Sequence, residues 1–428
     1  MLLITEIKRS VGNSVFDKVN FDPSSIFNAV VGLNKKSAPG PDEIPPILFK
    51  KLITVLVFPL TLLFNGIMLN SKVPRAWLSS VIVPIHKKGP LSSPSNYRPI
   101  SLTNSCCKIF ESVVSTQLLS YLHTHKLISP AQHGFLKNHS TCSNLLESLN
   151  DWSSILDKSN EVLIFYADFF KAFDSVSVPK LVFKLSLLNI CKPVLDCIES
   201  LLNNRMQCVK VGSALSNPRP VKSGVQQGSV LGPLMFLLFI TDIHNYLPYN
   251  AISKLFADDF KSYIAADCCI NTNDFNLIIT AVQRWADAWQ LPLSIDKCKW
   301  MIMSNKLVKS TVDFSDLNVK LDETSEFVDL GVTFNSKLNF SSHISLIIAK
   351  AKQRLYLLRK CFTSCNENAL VEAFKTYVIP LLEYCCSVWS PSSLSDILRL
   401  EAIQRSFTRS LYCCQSLSYK ERLCRCNL

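Results

Sequence analysis

Two adjacent acidic residues have the type and spacing that metal-assisted chemistry requires. Asp258 and Asp259 stand between short apolar segments that begin at Ile252 and Tyr263. This pattern predicts a β-hairpin with both acids at its tip. Adjacent carboxylates repel each other and resist ionisation unless a cation lies between them. Taken alone, however, such a pair favours a solvated Asp-Asp turn over a metal site.

A third acid upstream changes this balance. Residues 162–167 are apolar and predict a buried strand, and Asp168 follows them directly. An acid at the end of such a strand can meet an acid pair on a neighbouring hairpin. Two divalent ions bound between these carboxylates could activate a hydroxyl nucleophile and stabilise a leaving pyrophosphate.

A glycine-rich segment, SGVQQGSVLGPLMFLLFI, lies between these acids at residues 223–240. Glycine lets the backbone approach a ligand closely, and the apolar residues that end the segment predict a helix. A lone glycine-rich loop is weak evidence, whereas an acid, a glycine loop and an acid pair in this order are stronger. The glycines concerned are Gly224, Gly228 and Gly232.

The elements that must position these residues alternate between strands and helices. The order resembles a split βαβ arrangement and predicts an α+β fold. Residues 1 to about 70 read as helical, with a Pro/Gly-rich break at 37–46. The predicted strands are 77–84, 163–167, 207–211 and 300–303, and the predicted helices are 100–122, 179–188, 229–243 and 273–289.

The charge of the chain suits a polyanionic partner. The 428 residues include 45 Lys plus Arg and 33 Asp plus Glu, a net charge of +12. From Ser341 onward there are 12 basic and 6 acidic residues, so half of the excess lies in this part. Its densest stretch, residues 351–360, could together with the preceding Lys350 present cations such as Arg354 and Lys360 to phosphates, or it could be an ordinary solvated amphipathic helix.

The cysteines and the N-terminal residues predict an intracellular protein, nuclear or cytoplasmic and not secreted. The 17 cysteines, several of them adjacent pairs such as Cys268-Cys269 and Cys413-Cys414, are scattered among apolar residues, as reduced cysteines are. The first ten residues carry charges and no extended apolar region. Residues 52–69 approach the length of a membrane span, but a buried core helix is the simpler prediction, and we expect no membrane partner.

At the acidic residues the chain resembles the reverse transcriptases of non-LTR (LINE-type, jockey-like) retrotransposons. The resemblance covers nearly the whole chain in the family's order. SAPGPDEIPPILFKKL (37–52) is similar to the family's N-terminal extension. WLSSVIVPIHKKG (77–89) and NYRPISLTNSCCKIFESVV (96–114) are similar to its fingers motifs. Further similar segments are QHGFLKNHSTCSNLL (132–146), LPLSIDKCKWMIM (291–303), FVDLGVTFNSKLNF (327–340) and YVIPLLEYCCSVWSP (377–391).

The resemblance implies a right-hand polymerase fold with fingers, palm and thumb, the palm having the split βαβ plan. It divides the chain into an N-terminal extension with the Pro/Gly-rich motif (1–66), fingers and palm (67–340), and a basic helical thumb with a C-terminal segment (341–428).

The resemblance also assigns roles to individual residues. Asp168, Asp258 and Asp259 are the implied catalytic metal-binding carboxylates, with the Phe169 carbonyl as a further ligand. Acids suit two Mg²⁺ ions, for which Mn²⁺ could substitute. Asp174 is expected to point elsewhere and to be structural.

Other positions match the family's nucleotide and primer contacts. Phe173 matches a steric gate against the ribose 2′-hydroxyl, although an ordinary core Phe is an equal alternative. Either Lys297 or Lys299 would protonate the leaving pyrophosphate. The implied triphosphate and pocket residues are Lys87, Lys88, Arg98, Gln227 and Gly228, and the implied primer-grip residues are Leu330 and Gly331.

Three departures from the family pattern indicate a drifting copy. Gln226 stands where the family usually has Pro, which frees the backbone before the pocket glutamine. Phe170 replaces a usual Ser and puts a large apolar group near the carboxylates. Val178 stands where His is common. None of the three removes a catalytic group.

The predicted function is that of an RNA-directed DNA polymerase that uses dNTPs and extends a DNA primer on an RNA template. The family's primer is nicked target DNA, and residues 1–36 are too few to hold the endonuclease that makes the nick. We therefore expect either a fragment of a larger element or a copy that needs a separate endonuclease. The alternative is a folded, catalytically drifted nucleic-acid-binding remnant. A group II intron maturase fits the motifs less closely.

Overall fold

The computed structural model describes residues 15–159, 161–266, 272–304, 321–362, 366–411, 414 and 416–428. The chain forms two compact units. Of the described residues, the first unit contains those within 15–137, 167–260 and 276–298, and the second contains those within 138–166, 261–275 and 299–428. Residues 1–14 of the predicted N-terminal extension, and the cysteines Cys268, Cys269 and Cys413, lie outside the described residues.

The elements up to residue 211 are mostly helical. The helices are α1 (Pro23–Gly32), α2 (Pro46–Lys51), α3 (Ile53–Asn70), α4 (Ser105–Thr124), α5 (Thr141–Ser159), α6 (Ala172–Ser175), α7 (Val178–Leu187) and α8 (Lys192–Leu202). The strands are β1 (Ser79–His86), β2 (Tyr97–Leu102), β3 (Glu161–Ala167) and β4 (Met206–Val211).

The remaining elements begin with short strands and end in a run of helices. The strands are β5 (Ala214–Leu215), β6 (Arg219–Pro220), β7 (Ile252–Phe256), β8 (Asp259–Ala266), β9 (Lys299–Ser304), β10 (Asp322–Glu323), β11 (Glu326–Asp329) and β12 (Val332–Asn335). The helices are α9 (Leu231–Ile240), α10 (Thr272–Trp289), α11 (Ser341–Cys361), α12 (Glu367–Tyr377), α13 (Ile379–Glu383), α14 (Cys386–Trp389), α15 (Leu394–Arg409) and α16 (Tyr419–Cys426).

A sheet in the first unit has the strand order β2-β1-β4-β5, and β6 also pairs with β4. β1 is antiparallel to β2, with Val81 opposite Leu102, and parallel to β4, with Ser79 opposite Met206. The predicted helix 100–122 is therefore wrong at its start, because residues 100–102 pair with β1. The helix begins at Ser105, after Asn104.

A sheet in the second unit has the order β10-β9-β3-β8. β3 is antiparallel to β9, with Glu161 opposite Ser304, and every residue of β3 is buried. The strands predicted at 163–167 and 300–303 are confirmed, as is the helix predicted at 273–289. The strand predicted at 207–211 is also confirmed, but it pairs with β1 rather than with β3.

Helix α3 is the one helix in the described ranges that is long and apolar enough to cross a membrane, and only 22% of its span is buried. The expectation of a buried core helix is wrong. One stripe, containing Val57, Leu60, Phe64 and Ile67, is buried because residues three or four apart share a helix face. Side chains such as Leu62, 77% exposed, lie outside that stripe.

Candidate active site

The predicted acidic hairpin is present. β7 leads into β8 through a turn at Ala257 and Asp258, and Asp259 is the first residue of β8. Ala257 has a φ of +58°, a left-handed conformation that residues with a side chain rarely adopt. Asp258 is half-buried in this turn, and Asp259 is exposed.

Asp168 is held by the segment that precedes β9. Its carbonyl oxygen accepts a hydrogen bond from the Ser294 N–H at 2.7 Å, and its own N–H lies 3.4 Å from the Cys298 Sγ. The Lys297 Nζ lies 3.3 Å from the Asp168 Oδ1. Lys299 instead forms an ion pair with Asp322 at 2.6 Å. Of the two candidate lysines, the structure therefore brings Lys297 to the acid.

Several of the predicted site residues change the pKa of Asp258 through their charges. Burial raises the pKa of Asp258, and the negative charge of Asp168 raises it further. The positive charges of Arg98 and Lys87 act in the opposite direction on the same pKa. Asp168, Lys87 and Arg98 thus each interact electrostatically with Asp258. Lys88 follows Lys87 in sequence, and both lysines are exposed.

The three predicted metal-binding acids do not form a preassembled cage. Within the described ranges, no group of three or more His, Cys, Asp or Glu side chains is arranged to hold a metal ion. The structure instead shows two interacting carboxylates, Asp168 and Asp258, followed by the exposed Asp259.

The aromatic residues after Asp168 have different environments. Phe169 is buried, and its ring packs edge-on against Trp285 at 5.7 Å. Phe173 is half-buried and stacks on Phe236 at 4.4 Å, so it has a core contact and remains partly exposed. Phe170, one of the three departures, is 50% exposed and does not fill a core position.

The glycine loop is fixed to strand β2. The Gln227 carbonyl accepts a hydrogen bond from the Ser101 N–H at 2.7 Å. Gly228 has a φ of +117°, and a Cβ on it would lie 2.5 Å from the Ser101 carbonyl oxygen. Only glycine fits this approach. The Gln227 side chain donates a hydrogen bond to the Asp174 carboxylate at 3.0 Å, so Asp174 supports the pocket loop.

Sequence reasoning missed a buried glutamate behind this loop. The Glu111 Oε2 accepts hydrogen bonds from the N–H groups of Val230 and Leu231, at 2.7 and 3.3 Å, where α9 begins. Burial raises the pKa of Glu111, although both hydrogen bonds favour its ionised form. The available signal was an acid directly after the apolar residues Ile109 and Phe110.

The predicted primer-grip residues form a tight turn in the second unit. Leu330 and Gly331 link β11 to β12, and both have positive φ, +44° and +88°. Positive φ at both central residues is typical of a type I′ hairpin turn. The Tyr384 hydroxyl donates a hydrogen bond to the Leu330 carbonyl at 2.8 Å and closes one side of the turn.

A comparison with known protein families assigns the chain to a class with a polymerase fold. The reverse transcriptase (RNA-dependent DNA polymerase) family matches residues 85–334, and the chain belongs to this family. This match includes each predicted site residue from Lys87 to Gly331.

Within the family, the chain is homologous to polymerases of non-LTR retrotransposons. It is 27% identical over 401 residues to the probable RNA-directed DNA polymerase from transposon BS of Drosophila melanogaster, covering 91% of this chain and 44% of the relative. It is also 27% identical over 401 residues to the RNA-directed DNA polymerase from mobile element jockey of the same organism, covering 90% and 43%. The chain thus spans less than half the length of these relatives.

Proposed function

We propose that this chain extends a DNA primer on an RNA template with dNTPs, as the polymerase of a non-LTR retrotransposon. The observation that carries the proposal is the electrostatic group of Asp168, Asp258, Lys87 and Arg98, with Lys297 beside Asp168. Two interacting acids next to cations suit a reaction in which a triphosphate binds and a pyrophosphate leaves.

The donor set fits divalent metal. Burial and the Asp168 charge disfavour ionised Asp258, and the attraction of a bound cation would offset both effects. Asp168, Asp258, Asp259 and the Phe169 carbonyl would hold two Mg²⁺ ions, or Mn²⁺ in their place. Such ions supply charge neutralisation and a more acidic primer hydroxyl when bound.

The chain's own residues would bind and orient the nucleotide. Lys87, Lys88 and Arg98 are cations on and beside the β1–β2 hairpin and would grip the triphosphate. The Gln227–Gly228 turn, fixed to Ser101, would form one wall of the pocket. Phe173, which is half-buried, would face the sugar.

Lys297 is the better candidate for the proton donor to the pyrophosphate. Its ammonium contacts Asp168, whereas the Lys299 ammonium is engaged by Asp322. A general acid must lie within reach of the group that it protonates.

A basic groove between α11 and α15 in the second unit would bind nucleic-acid backbone. One cavity in it has a volume of about 380 Å³ and a second about 630 Å³. Exposed cations together with the Tyr356 ring suit phosphate and base contacts. The cations lining the groove are Lys352, Arg359, Arg399, Arg405 and Arg409.

We extend the proposal to the architecture and partners. The fold would be a right hand with a split βαβ palm, divided into an extension (1–66), fingers and palm (67–340) and a basic thumb (341–428). Nicked target DNA would supply the primer, and a separate endonuclease activity would make the nick. The protein would act in the nucleus or cytoplasm.

Primer extension tests the proposal. Purified chain is incubated with a DNA primer annealed to RNA, dNTPs and Mg²⁺ or Mn²⁺, beside a variant in which Asp168, Asp258 and Asp259 are all Asn. We expect synthesis by the parent chain and none by the variant.

The rival is a nucleic-acid-binding remnant, and the lack of a preassembled group of three acids in the described part of the chain favours it. Binding of primer-template by both proteins, with synthesis by neither, would establish the remnant.

A further inference from the structure

We propose that Gln132 is a positioning residue that fixes the turn carrying Asp258. The inference rests on the proposed function, because its consequence is the placement of a catalytic acid. It adds a residue from a segment that the site described above does not use.

The Gln132 side chain holds both backbone polar groups of Ala257. Its Oε1 accepts hydrogen bonds from the Ala257 N–H at 2.9 Å and from the Gly134 N–H at 2.7 Å. Its Nε2 lies 3.4 Å from the Ala257 carbonyl oxygen, to which it donates. Gln132 is 2% exposed, so water does not compete for these bonds.

The neighbouring backbone extends this connection into β7. The Leu255 N–H donates to the Ala131 carbonyl at 2.8 Å, and the His133 N–H donates to the Leu255 carbonyl at 2.9 Å. A Cβ on Gly134 would lie 2.3 Å from the Ala257 nitrogen. The segment therefore approaches the hairpin as closely as backbone allows, and glycine is required at 134.

The contact is needed because Ala257 has an unfavourable conformation. With φ at +58°, its Cβ crowds the backbone, and such conformations persist only where the surroundings enforce them. Asp258 follows Ala257 directly, so a relaxed turn would move its carboxylate relative to Asp168. Metal binding and nucleotide transfer would both weaken.

Gln132→Met tests the inference, since Met has a similar shape but lacks the amide. Gln117→Met is a matched control, because the Gln117 side-chain amide likewise bonds both backbone polar groups of Asn20. It accepts from the Asn20 N–H at 2.9 Å and donates to the Asn20 carbonyl at 2.7 Å. Hydrogen exchange of the peptide covering 255–259, Mn²⁺ binding that depends on Asp258, and single-turnover incorporation are measured for each.

We expect Gln132→Met to speed exchange at Ala257 about tenfold or more, and to weaken Mn²⁺ binding and slow incorporation by roughly tenfold each. Gln117→Met should change none of these. The inference is overturned if the two variants match each other in exchange and in Mn²⁺ binding.

Two further comparisons distinguish a failure of this inference from misfolding and from a failure of the proposed function. If Gln132→Met does not fold, Gly134→Ala is used, since it displaces Ala257 while retaining the amide, and it should show the same losses. If the parent chain makes no DNA, the proposed function fails, but exchange and Mn²⁺ binding still decide the role of Gln132. If the parent is active and Gln132→Met is equally active, the inference alone fails.

Discussion

The acidic site in the first unit and the basic groove in the second unit are constructed differently. In the acidic site, buried groups fix the backbone: Gln132 holds Ala257, and Glu111 holds the start of α9. In the groove, cations such as Lys352 and Arg409 are exposed on helix surfaces. The first arrangement specifies geometry and the second supplies charge. Substitutions should therefore alter rate in the first and affinity in the second.

The physical basis of the difference is the local environment. Buried polar groups interact in a low dielectric and tolerate little displacement. Exposed cations are screened by salt and are individually weak, but they add up along a phosphate backbone.

The largest effect is expected at the hairpin. Asp258→Ala should lower the single-turnover rate at least about a thousandfold, because it removes several kcal/mol of metal-assisted stabilisation. Primer-template affinity should stay within about twofold. Asp196→Ala, which breaks only an exposed pair with Lys192, is the control and should leave the rate unchanged. A small effect on rate at Asp258 would place the chemistry elsewhere.

A smaller effect on rate is expected at the lysine beside Asp168. Lys297→Ala should slow incorporation by roughly a hundredfold if it supplies the proton to pyrophosphate. Lys299→Ala should have little effect, since Lys299 is paired with Asp322. The pH dependence of the rate in each variant is the measurement. Equal losses in both variants would contradict the assignment.

In the basic groove, substitutions should change the affinity for duplex rather than the rate. Lys352→Ala with Arg409→Ala should weaken duplex binding by several fold and reduce the salt dependence of log K by about 1 per removed cation. The rate at saturating duplex should not change. Lys375→Ala, which removes a cation outside the groove paired with Glu372, is the control for net charge. An unchanged salt slope in the double variant would rule out phosphate contacts there.

The smallest effect concerns stability. The folded pKa of Asp258 is raised above its ordinary value of 3.8, by burial first and then by Asp168. The folded chain therefore holds this proton more tightly than the unfolded chain, and stability falls as pH rises from 3.8 through the raised pKa. Asp258→Asn removes this loss, so without divalent ions its Tm should exceed the parent's by about 1 °C or more at pH 7.

That gain should shrink as the pH falls towards 3.8, because the raised pKa makes the folded parent carboxyl increasingly protonated. A gain that is independent of pH, or a loss at pH 7, would show that the Asp258 charge is not disfavoured in the fold.

The local elements were predictable where the sequence pattern is regular. The buried strand before Asp168 and the hairpin at Ala257 follow from continuous or bounded apolar segments. The start of α4 was misplaced because pairing with β1 draws residues 100–102 into a strand. Such pairing depends on residues distant in sequence, which local patterns do not encode.

The site residues likewise divide into those that the sequence predicts and those that depend on contacts between distant segments. The acids follow motifs and could be named from sequence. The choice of Lys297 over Lys299 depends on how the segment before β9 meets Asp168. The roles of Glu111 and Gln132 depend on contacts more than 100 residues away in sequence. For Glu111 an acid directly after apolar residues was the local signal, whereas Gln132 does not lie in an apolar stretch.

The most direct test of the central claim is single-nucleotide incorporation opposite each of the four bases of an RNA template by the parent chain with Mg²⁺. We expect addition of the complementary dNTP in each case, and no addition by the Asp258→Ala variant. Folded protein that binds the duplex yet adds no nucleotide with Mg²⁺ or Mn²⁺ would contradict it, and the chain would then be a binding remnant of its element.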